Sequence, residues 1–132
     1  MPKTLKFTNV ILADTVVKGD RRKYVIVNTF AGDVIVKEFP VSLRFGLYAE
    51  FWPDREDDYD LTLEIKLDRK VYAKAVVHIT ETKLGNPAVI ALPQFELGLE
   101  KEATLKLDVA ADGYRKKQIL SKKIFAGDVT GS

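Results

Sequence analysis

The chain contains no cysteine, a single histidine, a single tryptophan and a single methionine. Without cysteine there can be no disulfide, no thiolate metal site and no thiol nucleophile. That composition is compatible with a reducing cytoplasm. His78 alone leaves a zinc site short of the Cys, His or carboxylate ligands it requires. No nucleophile elbow accompanies the histidine. The glycines are scattered and none opens a helix, which excludes a phosphate-cradling loop. No apolar run approaches the roughly 20 residues that span a bilayer. Charge of one sign is also lacking: 21 basic and 19 acidic residues leave a net charge of +2. Such a balance sets up no field that would draw nucleic acid or an anionic membrane surface.

What is present is a chain of 132 residues with 46% hydrophobic and 30% charged content, which fits one globular domain over 1–132. Its hydrophobic period is two. In "VSLRFGLYAEFW", Val41, Leu43, Phe45, Leu47, Ala49 and Phe51 fall on one face, with Ser42, Arg44, Gly46, Tyr48, Glu50 and Trp52 on the other. "LTLEIKL" alternates in the same way, and "VYAKAVVHI" follows after Asp68–Lys70, so the two segments should form an antiparallel hairpin. Asp112-Gly113 supplies the φ > 0 positions of a tight turn, and Gly19-Asp20 turns the chain after the first strand. Asn86-Pro87 breaks structure before "AVIAL", and Pro93 is expected to end that segment.

The opening "MPKTLKFTNVILADTVV" has a lysine before apolar residues, as a secretory leader does. Thr8, Asn9 and Asp14 interrupt it and no small-residue cleavage site follows, so it reads as a first strand. "FAGDV" occurs at Phe30–Val34 and again at Phe125–Val129. The flanks differ, which argues against a duplicated unit. The first copy reads as a turn, and the second as a strand end anchored by Phe125, with a loose tail from about residue 128. About seven or eight strands at this spacing favour an all-β antiparallel β-sandwich, with a barrel second.

The order "LADTV" (Leu12–Val16), "KYVIVNTF", "VIVKEFP", then "LPQFELGLEKEATLKLDVAADG" resembles an uncharacterised family of small bacterial and prophage-associated proteins. The resemblance implies an immunoglobulin-like or C2-like sandwich and carries no assigned activity or functional residues.

Several residues bear on function. Arg44, Tyr48, Glu50 and Trp52 share a non-core face, and Tyr72, Lys74, Val76 and His78 share another. If their strands lie in one sheet, an aromatic and polar surface of the kind that binds partners results. Asp54, Glu56, Asp57, Asp58 and Asp60 form an acidic stretch of the type from which loops take calcium. The dull readings are a sheet covered by its own tyrosines and a solvated loop. The basic clusters around Lys18–Lys23, Arg115–Lys117 and Lys122–Lys123 read as edge protection.

The expected function is a non-enzymatic interaction or structural module without a cofactor. It would bind a protein partner or a second copy through a sheet face or edge. An assembly component encoded by phage or prophage is one form of this, cytoplasmic or carried in a virion. The alternative is ligand binding: calcium on the 54–60 stretch, or a carbohydrate on Tyr48 and Trp52. An enzyme comes third.

Overall fold

Alternation of branched or aromatic residues with polar ones forces extended backbone, because only a pleated strand sends neighbouring side chains to opposite faces. The computed structural model describes residues 3–21, 23–80 and 82–127. Among these are eleven strands and no helix: β1 (Lys3–Thr4), β2 (Lys6–Lys18), β3 (Tyr24–Thr29), β4 (Val34–Val36), β5 (Val41–Trp52), β6 (Tyr59–Leu67), β7 (Lys70–Ile79), β8 (Ala88–Leu99), β9 (Ala103–Ala110), β10 (Tyr114–Arg115) and β11 (Lys117–Ala126). They form a four-stranded sheet in the order β3-β2-β5-β8, a five-stranded sheet in the order β4-β11-β9-β6-β7, and a small β1-β10 pair. The arrangement is sandwich-like and not a barrel. The tail expected from about residue 128 lies outside the described residues.

The two large sheets enclose one core. Phe45, Leu47, Ala49 and Phe51 of β5 and Ile90 and Leu97 of β8 face Leu61 and Leu63 of β6, Leu105, Leu107 and Val109 of β9, and Ile124 of β11. Burying each larger side chain contributes on the order of 2 kcal/mol. Edge-on aromatic contacts link the layers, with the Phe51 and Tyr59 ring centroids 4.8 Å apart.

Eight of the strands are those the alternation expects. The other three are short and come from pairings that no local pattern encodes. β1 runs parallel to β10, and β4 runs parallel to the end of β11. The sheets are therefore not wholly antiparallel. The β4 pairing brings the end of the first FAGDV copy next to the start of the second, with Ile124 opposite Val34 and Phe125 opposite Ile35. The first copy carries the chain from β3 in one sheet to β4 in the other, so it is a crossover and not a hairpin turn. Lys122 Nζ donates to the Phe30 carbonyl at 3.1 Å, and Lys123 N–H donates to Asp33 Oδ1 at 2.9 Å, which fixes that crossover against β11.

Pro93 does not end its segment. β8 runs through it to Leu99, and its register against β5 shifts there: Phe95 faces Phe45 but Leu92 faces Leu47. Proline is tolerated because β8 is an edge strand and this is a bulge. Opposite the bulge sits Gly46, where a Cβ would lie 2.7 Å from Val16 N and 2.8 Å from Pro93 O. The glycine therefore leaves no gap on the sheet. β2 and β8, the two neighbours of β5, close over it, and Thr15 Oγ1 donates to the Pro93 carbonyl at 3.1 Å. Beyond Ala13, β2 pairs only with β3. The two form an arm that passes over the outer face of β5.

Candidate functional site

The outer face of β5 presents the four residues expected there, and each is satisfied from within the face. Arg44 Nε lies 3.0 Å from Glu96 Oε1 on β8. The Tyr48 hydroxyl donates to Glu50 Oε2 at 3.0 Å, and Asn9 donates to the other oxygen of the same carboxylate. Trp52 Nε1–H donates to Thr8 Oγ1 at 2.8 Å, while Lys6 Nζ sits 5.5 Å from its ring centroid. The arm covers the centre of this face: the Tyr24 ring meets Tyr48 edge-on at 5.5 Å. Burial, with the Glu50 hydrogen bond added, pushes the Tyr48 hydroxyl up to about 12.

Tyr72 and His78 stand elsewhere. β7 is the outer strand of the five-stranded sheet, so these residues do not join Arg44, Tyr48, Glu50 and Trp52 on one surface. The sheet assignment separates them. Between Ile65 and Lys66 the register of β6 against β7 shifts, leaving Tyr72 as an extra residue in a bulge. A bulge re-aims its side chain. Tyr72 accordingly turns round the sheet edge, where its hydroxyl accepts the Gly98 N–H at 3.3 Å. It lines a cavity of about 630 Å³ between the β6–β7 and β8–β9 turns, together with Leu67, Val71, Leu99 and Ala103. From Ala73 to Ile79 the pairing with β6 is regular, and the other edge of β7 has no partner strand among the described residues. Val76 on this stretch is 73% exposed. His78 Nδ1 contacts the Asp60 carboxylate on β6, and both side chains are open to solvent.

The acidic stretch does not converge. Asp54 Oδ1 accepts both the Tyr59 hydroxyl at 2.7 Å and the Tyr114 hydroxyl at 2.6 Å. These two bonds, Tyr114's first, hold its carboxyl below the usual aspartate range. Burial, with the same carboxylate as neighbour, pushes Tyr114 well above the ordinary phenol range. Arg55 stacks over both rings, at 4.8 Å from the Tyr59 centroid and 5.7 Å from that of Tyr114. Asp57 lies 3.5 Å from Arg55 Nε, and its N–H donates to Thr82 Oγ1 at 2.9 Å. Asp60 faces away beside His78, while Glu56 and Asp58 are exposed. Among the described residues, no three acidic or histidine side chains come together in a way that could hold a metal ion.

One cluster escapes the alternation rule. Glu64 sits on the outward face of β6 yet is only 8% exposed. Lys116 Nζ lies 2.8 Å from it, Lys66 Nζ 3.7 Å and Lys74 Nζ 4.0 Å. Lys66 also reaches Asp108 on β9 at 2.7 Å. The lysine stems cover the carboxylates while their heads stay near water. The Lys116 hydrogen bond leads in lowering the Glu64 carboxyl, and the Asp108 hydrogen bond in raising the Lys66 ammonium. The signal available in sequence was weak: an i, i+2 pair on one strand, and partners on strands whose order was unknown.

No described helix is long and apolar enough to cross a membrane. Comparison with protein-family models and with curated proteins finds no match to this chain.

Proposed function

We propose that this protein is a non-enzymatic interaction module whose docking element is the free edge of β7. The observation that carries the reading is the regular stretch Ala73–Ile79, unpaired on its outer side, with Val76 exposed on it. An added strand would satisfy the outward N–H and C=O groups of β7. The adjacent cavity beside Tyr72, lined also by the charged Asp68, Arg69, Lys70, Glu100, Lys101 and Glu102, is roomy enough for more than one side chain of that segment. Main-chain bonds would supply affinity and the cavity selectivity. The partner is a protein segment that is extended and apolar at alternate positions. The sandwich is of the immunoglobulin-like or C2-like kind, and an assembly component encoded by phage or prophage is one setting for such an edge. The resemblance in residue order supports both.

Selection from a library of random peptides tests this. Bound sequences are expected to alternate apolar and polar residues, and to lose binding to Val76→Lys and Tyr72→Ala. Peptides that bind both variants as well as the parent would contradict the β7 assignment.

A further inference from the structure

A second surface, remote in kind from the β7 edge, lies at the end of the molecule where the β2–β3 arm finishes. Val17 pairs with Val25 across the arm, so the two share a face, and they are 51% and 55% exposed. Beside them at the arm tip stand Lys18, Arg21 and Lys23, none of which makes an ion pair among the described residues. Tyr24, next to Lys23, lines a cleft of about 300 Å³ together with Thr80, Thr82 and Asn86. Thr82 is the residue that holds the acidic segment, through Asp57 N–H at 2.9 Å. The cleft, which His78 and Lys83 also line, therefore has the residue next to the cationic tip on one wall and the residue that holds the acidic segment on another. Glu56 and Asp58 also lack ion-pair partners among the described residues. Leu84, on the loop that carries Thr82, is 56% exposed.

This end thus displays uncompensated charge of both signs beside uncovered aliphatic side chains. A polyanion or anionic lipid surface drawn to the tip would meet repulsion from Glu56, Asp57 and Asp58. A surface carrying both signs is matched by the same surface turned about a two-fold axis, because each sign then faces its opposite twice. We propose that the arm end is an isologous interface for a second copy of this chain. The tip residues Lys18, Arg21 and Lys23 of each subunit lie against the acidic segment of the other, and Val17 and Val25 are covered by Leu84 of the partner subunit. The cleft also touches His78 and Ile79 at the end of β7, but neither Tyr72 nor Val76, on which the docking role of β7 is tested, takes part, so either reading can fail without the other.

Sedimentation of the full chain reads the association directly. In about 20 mM salt a dimer is expected, and raising salt to about 500 mM should weaken it roughly tenfold or more, because exposed charges are then screened. Two charge-reversed variants are then compared: Lys18→Glu with Arg21→Glu and Lys23→Glu, and Glu56→Lys with Asp58→Lys. Each alone should be monomeric while keeping the circular dichroism of the parent. Mixed in equal amounts they should form a heterodimer, since one contact is then native and the other is restored with its signs exchanged. Val76→Lys should leave the dimer intact. A parent that stays monomeric at all concentrations in low salt would overturn the proposal. So would a dimer indifferent to both charge reversals, or a mixture that remains monomeric.

Discussion

The Pro93 carbonyl oxygen lies over the α-carbon of Gly46, so close that a Cβ on the glycine would approach it to 2.8 Å. Val16 N and Thr15 C crowd the same position at 2.7 and 2.8 Å. All three are backbone atoms and cannot rotate away. This crossing seats the arm on the sheet and sets where Tyr24 meets Tyr48.

Gly46→Ala should therefore destabilise the fold by about 3 kcal/mol or more, the upper range for overpacking. Gly98→Ala is the control: an added Cβ there meets nothing within 4 Å, so the change should stay within about 0.5 kcal/mol. Urea unfolding followed by circular dichroism distinguishes the two. Equal effects would mean that the crossing is not packed as described.

The Asp54 carboxylate ties the acidic segment to Tyr59 and Tyr114. A cycle of Asp54→Asn, Tyr114→Phe and the double variant should give a coupling energy of about 1 kcal/mol. That is below the usual worth of a hydrogen bond to a charged group, because the carboxylate is partly exposed and screened by water. A coupling near zero would place the loop in solution away from Tyr114.

Stability should fall at both ends of the pH range. Asp54 and Glu64 have folded pKa values held below their unfolded ones. Their contribution is present above the ordinary carboxylate range and is lost as pH drops through the lowered values. Lys66 is shifted the other way. Its contribution is present below the ordinary lysine range and is lost as pH climbs through the raised value. Glu64→Gln should shrink the acid limb of a melting-temperature profile and cost about 1 kcal/mol at neutral pH. A profile with the acid limb unchanged would contradict the cluster.

The Tyr48 and Tyr114 hydroxyls should both ionise above the ordinary phenol range. In a spectrophotometric titration Tyr48 should respond only near pH 12, its raised value stabilising the fold below the ordinary phenol range and less as pH rises through about 12. Tyr48→Phe should remove one group from the late part of the titration, and a late amplitude unchanged by the substitution would contradict the burial of Tyr48.

The outlines of this fold are legible in the alternation of β5, β6, β7 and β9, where burial on one face dictates the period. The Asp68 turn is legible too: its φ of 57° is one that aspartate tolerates better than most residues, and Thr104 N–H donates to its side chain at 2.9 Å. Three features had no local signal. The parallel pairing of β4 with β11 joins residues about ninety positions apart. The strand through Pro93 survives only because β8 is an edge, a fact of sheet order. The separation of Tyr72 and His78 from Tyr48 and Trp52 also follows from sheet order, since parity along a strand specifies a face but not the sheet to which that face belongs. Gly46 was visible as a missing side chain, yet only the crossing of two neighbouring strands explains why nothing else fits.

The measurement that bears most directly on the docking role of β7 is site-specific photo-crosslinking in cells that produce the protein. A crosslinkable residue is placed at Val76, and for comparison at Lys106 of β9, which is paired on both sides, with Ser121 and with Lys66. Crosslinks to a defined protein from position 76, abolished by Tyr72→Ala and absent from position 106, are the predicted result. Equal or absent crosslinking at the two positions would contradict it.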